Sequence, residues 1–209
     1  MKDNKILVLA PHTDDGELGC GATISKFIRE GKQVYYVAFS ACDQSLPEGL
    51  PKGTLKKELY DAIHTLGIDE ENVFVFNYEV RNFAAHRQEI LDDMITLGKK
   101  IQPDIVFIPS AKDIHQDHNT IAMEGLRAFK KITIFCYEVP WNNFAFDNQA
   151  FSCVEEQDVI KKIAAISCYK SQETRPYATK EFTKSLLITH GAQVGVDFAE
   201  VFEVPRLII

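Results

Sequence analysis

Paired cysteines are missing from this chain. The five cysteines, at positions 20, 42, 136, 153 and 168, are odd in number and form no C-x-x-C step. Neither a disulfide framework nor a thiolate metal site is signalled, and they read as small buried hydrophobes. A basic stripe is missing too. With 23 Lys and Arg against 30 Asp and Glu, the net charge of −7 argues against a nucleic-acid partner, because phosphate binding draws on clustered cations. No apolar run is long enough to cross a bilayer, and no charged start leads into a long apolar region, so the expectation is a cytoplasmic protein without a membrane span. There is no G-x-S-x-G elbow, which speaks against a serine nucleophile.

What is present is an ordinary globular balance, 45% hydrophobic and 25% charged over 209 residues. That length suits one domain, residues 1–209, with a core that needs no staples. Apolar strands are expected at 6–9, 34–39, 73–76, 104–109 and 133–139, with a closing strand at 198–204. Between them run helical faces such as Leu55, Leu59, Ile63 and Leu66, or Ile90, Met94, Leu97 and Ile101. Residues 171–179 look linker-like. Strand–helix alternation implies right-handed crossovers and a mostly parallel sheet, a Rossmann-like three-layer α/β sandwich. In strand order 3-2-1-4-5, the first and fourth strands flank the switch point where ligands bind.

Two acid and histidine clusters fall at those two strand ends. The first strand runs into Pro11-His12-Thr13-Asp14-Asp15-Gly16-Glu17, and the fourth into His115-Gln116-Asp117-His118. Asp14 or Asp15 alone would be an ordinary helix cap. Two such clusters facing one crevice favour a metal instead. His12, Asp15 and His118 supply three ligands with an open position, as in a catalytic zinc site, though other divalent transition metals accept the same donors. Asp14 is then the candidate general base, and His115, oriented by Asp117, the group that stabilises the oxyanion or protonates a departing amine. These parts suit hydrolysis of an amide or ester. A dinucleotide site built on Gly16, Gly19 and Gly21 is discounted, since the spacing is wrong and Asp14, Asp15 and Glu17 would repel a pyrophosphate.

Weaker candidates for substrate contacts are Arg81 and Asn82, after the third strand, and Trp141 and Asn142, after the fifth. Trp141 offers a face for a sugar or, equally, a plug for the sheet end. The loop 41–53 has the length and composition of a lid. Aromatic residues in several loops leave room for a homo-oligomer.

The residues Pro11-His12-Thr13-Asp14-Asp15-Gly16-Glu17-Leu18-Gly19-Cys20-Gly21-Ala22-Thr23 and His115-Gln116-Asp117-His118 resemble the two signatures, A-H-P-D-D-x-E-L-G-C-G-G-T and H-x-D-H, of the zinc-dependent LmbE-like, or PIG-L, de-N-acetylases. The ending, from Gly191 to Phe202, is similar as well. The resemblance implies the same roles: His12, Asp15 and His118 as metal ligands, Asp14 as base, His115 and Asp117 at the transition state. It also implies a small-molecule partner, an N-acetylglucosamine-type conjugate that loses its acetyl group. The alternatives are a metal-dependent phosphoesterase and an inactive sugar-binding homologue. Thr13 replaces the usual proline. His190 stands where many relatives carry an arginine, exchanging a fixed cation for a titratable one in substrate anchoring.

Overall fold

The strands alternate between two apolar faces, and that alternation builds the layers. The computed structural model describes residues 5–208. Strands β1 (Lys5–Ala10), β2 (Gln33–Ala38), β3 (Val73–Val75), β4 (Ile105–Pro109) and β5 (Thr133–Tyr137) are parallel, in the order β3-β2-β1-β4-β5. Two more strands extend the sheet antiparallel beyond β5: β7 (Ala199–Arg206) and, outside it, β6 (Ala150–Cys153). The result is an α/β sandwich with the mostly parallel sheet that the pattern predicts, in seven strands.

Successive side chains of β1 serve opposite layers. Ile6 and Val8 pack with helices α1 (Asp15–Arg29), α2 (Thr54–Leu66) and α5 (Glu156–Ile166), through Ile24, Leu59 and Ala165. Leu7 and Leu9 pack on the other side with α3 (Arg87–Ile101) and α4 (Gln116–Ala128), through Met94 and Ile121. Helix α6 (Lys180–Val194) closes one end, where Leu187 meets Ala22 and Val159. Among the described residues no helix is long and apolar enough to cross a membrane.

Helix α1 carries the first cluster and lies close on the sheet. A Cβ at Gly16 would fall 2.5 Å from the Tyr36 ring, and one at Gly19 would fall 2.2 Å from the Tyr137 ring. Both glycines therefore serve close packing. The helix kinks at Cys20 (φ −143°), and the freed N–H groups of Ala22 and Thr23 donate to the Glu200 carboxylate at 3.1 and 2.7 Å. Strand β6 was not expected: its four residues, Ala-Phe-Ser-Cys, show no alternation and lie half exposed at the sheet edge. The cysteines also divide. Cys20, Cys42 and Cys136 are buried, whereas Cys153 is exposed and Cys168 half-buried.

Candidate active site

The two clusters meet at the carboxyl ends of β1 and β4, the switch point of the sheet. His12 Nδ1, Asp15 Oδ2 and His118 Nε2 form a triangle with edges of 3.1, 3.2 and 3.2 Å. Each imidazole is held from behind by a carboxylate. His12 Nε2 lies 3.0 Å from Asp117 Oδ2, and His118 Nδ1 lies 2.7 Å from Asp113 Oδ2. A carboxylate only accepts, so these nitrogens carry the protons and the lone pairs of His12 Nδ1 and His118 Nε2 face the triangle. Three acceptor atoms in mutual contact are unfavourable unless positive charge sits among them. Protons can supply that charge: burial opposes it on either ring, yet the charge of Asp15, with the hydrogen bonds that the rings donate to Asp117 or Asp113, raises His12 to about 9 and His118 to about 10.

The donor set fits a divalent cation. Ligands about 2.0–2.1 Å from a tetrahedral ion stand roughly 3.3 Å apart, close to the edges seen here. A wider group, His12, His115 and His118, also brings three imidazole nitrogens within 4.8 Å of one another. The tighter triangle is the better cage, because His115 Nδ1 is already engaged as the cap of α4, accepting the Asp117 N–H at 3.2 Å. That contact leaves the ring proton of a neutral His115 on Nε2. Burial and the neighbouring His118 and His12 lower the pKa of His115, favouring that neutral form.

One expected role changes. The Asp117 carboxylate does not orient His115; it takes His12 Nε2 and the backbone N–H groups of Arg81 (2.6 Å) and Phe83 (3.3 Å). The hydrogen bond from Asp117 to His115 is donated by the backbone N–H. The counterpart on His118 is Asp113, a residue the sequence reading passed over because an aspartate in a polar loop carries no signal of its own.

Helix capping by the first cluster is not seen. Asp14 occupies the N-cap of α1, yet its side chain makes no cap hydrogen bond, and Asp15 Oδ2 accepts from the His12 N–H at 2.8 Å. Among the described residues no hydrogen bond holds the Asp14 carboxylate, which lines the cleft; burial, then the charge of Asp15, raise its pKa to about 6. Behind this turn sits Glu17, fully buried between the hydroxyls of Tyr36 and Tyr169, both of which also reach the Thr13 carbonyl, at 3.1 and 2.6 Å. Two hydroxyl protons cannot serve four such contacts. A protonated Glu17, favoured by burial that raises it to about 8, supplies a third proton, so that three of the four contacts can be hydrogen bonds at once.

The cleft above measures about 240 Å³. Trp141 lines it and stacks on Tyr177, with ring centroids 3.7 Å apart and planes at 13°. Arg81 and Asn142 also line it. Asn82 does not; it is exposed, 3.5 Å from Glu79. His190 lies elsewhere, buried in a small separate pocket with its Nε2 3.1 Å from Glu138 Oε1. Residues 171–179, which look linker-like, instead form a wall through Gln172, Arg175 and Tyr177, and Cys42 and Ser45 bring the loop 41–53 to the opening. The polar, Pro-bearing composition of 171–179 gave no hint of this; only the chain's return past Trp141 places that segment.

Fold and site together define a Rossmann-like α/β protein with a histidine–carboxylate cage at its switch point. The sequence model of PIG-L, GlcNAc-PI de-N-acetylase, matches residues 7–129, and the chain belongs to this family. It is 27% identical to the uncharacterized deacetylase YaiS of Escherichia coli, over 81% of this chain and 92% of that one. It is 22% identical to the diacetylchitobiose deacetylase of Thermococcus kodakarensis, over 94% and 81%. Among solved structures, the conserved protein TT1542 from Thermus thermophilus superposes with a TM-score of 0.79 at 26% identity, covering 100% of this chain and 97% of that one.

Proposed function

We propose that this protein is a metal-dependent hydrolase that removes the acetyl group from an N-acetylated amino sugar. The observation that carries the proposal is the triangle of His12 Nδ1, Asp15 Oδ2 and His118 Nε2, with the unbonded carboxylate of Asp14 beside it. These three atoms would hold a divalent ion, zinc by their chemistry, which when bound polarises a carbonyl and eases deprotonation of water. Asp14, free of other hydrogen bonds, accepts the proton of the attacking water and can pass it to the departing amine. His115 Nε2–H donates to the acetyl oxygen as charge develops there. Asp117 and Asp113 keep the lone pairs of His12 and His118 turned inward. Trp141, Asn142 and Arg81 supply a face and hydrogen bonds for the sugar ring.

The test is acetate release from a panel of N-acetylglucosamine derivatives, with metal content measured on every sample. Wild type should release acetate. Asp14→Ala should retain metal and lose about 10²–10⁴-fold in kcat, and His118→Ala should lose the metal. Metal-replete protein that turns over no derivative would overturn the substrate class, and failure to bind any divalent ion would overturn the site.

A further inference from the structure

The chain has six arginines, and four of them are held by the protein itself. Arg29 pairs with Asp158 and Glu155, Arg87 and Arg127 pair with Glu124, and Arg206 donates to the Phe129 carbonyl. Arg81 and Arg175 differ. Among the described residues neither guanidinium has an acceptor, and both residues line the cleft that holds His12, Asp14 and His115. Exposure alone does not account for this, since the side chains of Arg87 and Arg127 are 53% and 50% exposed and still paired.

The backbone holds both residues in place while leaving their side chains free. Arg81 has a φ of 69°, a left-handed conformation that glycine would adopt without strain, and its N–H is tied to Asp117 at 2.6 Å. Arg175 precedes Pro176; its N–H donates to the Gln172 carbonyl at 2.9 Å, and its own carbonyl accepts from Ala178 at 3.0 Å. This segment is further fixed by the Tyr177 ring stacked on Trp141. A guanidinium presents a planar fork of donors that matches a carboxylate or phosphate. Neutral sugar hydroxyls require no such charge. In a chain of net charge −7, with Asp14 and Asp15 in the same cleft, two residues with unneutralised guanidiniums lining one space are complementary to an anion.

We propose that the substrate is an amino sugar bearing an anionic substituent, a phosphate or a carboxylate, which Arg175 binds together with Arg81 at the cleft wall. This rests on the amino-sugar hydrolase reading above and names its substrate class. Arg175 is then a specificity determinant, not a catalytic residue.

The experiment compares kcat/KM for acetate release from N-acetylglucosamine and its methyl glycoside, from N-acetylglucosamine 1- and 6-phosphate, and from N-acetylmuramic acid. At least one anionic arm should exceed the neutral arm tenfold or more, chiefly through KM, with the excess shrinking as salt rises. The phosphate and carboxylate arms tell the two substituents apart. Arg175→Gln should cut the anionic-to-neutral ratio about tenfold, and Arg175→Lys should cut it less. Neutral sugars turned over as well as every anion, or a ratio unchanged in Arg175→Gln, would overturn the proposal.

If no compound releases acetate, the hydrolase reading fails, and calorimetric binding of glucosamine 6-phosphate and muramic acid against glucosamine decides the anion site by itself. Tighter binding of an anion, lost in Arg175→Gln, supports it. Equal affinities overturn it.

Discussion

Asp113 and Asp117 each grip one imidazole of the donor triangle by the nitrogen that faces away from it. Replacing either with asparagine keeps the volume but offers an amide that can present its NH₂ to the ring, weakening the hold on the tautomer. Metal affinity is expected to fall about 10–100-fold in each variant, measured by competition with a chromophoric chelator. Full affinity in both variants would show that the rings are oriented by packing alone. At this scale the gathering of His12, Asp15 and His118 was legible in the sequence, because their spacing at two strand ends is unusual. The partner of each ring was not. Which carboxylate reaches which nitrogen depends on rotamers set in three dimensions, and the sequence assigned Asp117 to the nearby His115 although its carboxylate reaches across to His12, 105 residues away.

Helix α1 carries Asp14 and Asp15, and its depth on the sheet is set by the missing side chains of Gly16 and Gly19 over Tyr36 and Tyr137. Gly19→Ala would drive a methyl into the Tyr137 ring, whose hydroxyl is itself fixed on the Leu9 carbonyl at 2.9 Å. The ring cannot swing away freely, so the variant is expected to lose roughly 1–3 kcal/mol of stability, at about 2–4 °C of melting temperature per kcal/mol for a chain of this length. Thermal melts of wild type and variant check this, and an unshifted transition would mean that the helix lifts without cost. That these glycines serve packing was legible; which aromatic rings they meet was not. Residues 171–179 show the opposite case, an element whose role as a cleft wall comes wholly from its return beside Trp141.

Over the whole molecule, two buried features link stability to conditions. Removing a bound metal with a chelator should lower the melting temperature and abolish activity, with both restored by zinc, because an ion that binds only the folded form stabilises it by about 2.7 kcal/mol at a hundred times its Kd. An apparent stability indifferent to chelator, in protein shown to lose its metal, would contradict this. Glu138 is the second. Burial raises its pKa to about 7, and its Oε1, though 3.1 Å from His190 Nε2, has no aligned hydrogen bond. The folded protein therefore holds this proton more tightly than the unfolded chain does, so the contribution to stability is present below about pH 4.5 and is lost as pH rises through about 7. Glu138→Gln escapes that loss. Its stability relative to wild type, followed by melts, should rise between pH 5 and pH 8 by an amount on the order of 3 kcal/mol at most. A difference that stays flat with pH would refute it.

Local chemistry accounts for what could be read from the chain alone: the period of apolar residues marked five strands and the helices between them, their alternation implied a parallel sheet of known order, and the crowding of histidine and aspartate after β1 and β4 marked the site. Hydrophobic periodicity and metal-donor chemistry act over a few residues, so a sequence displays them directly. The edge strand β6, the bond from Asp117 to His12, the support of His118 by Asp113 and the exclusion of His190 from the cleft were decided only by the tertiary structure. Each of these is a contact between segments far apart in the chain or a choice of side-chain direction, and the pattern along a sequence carries neither.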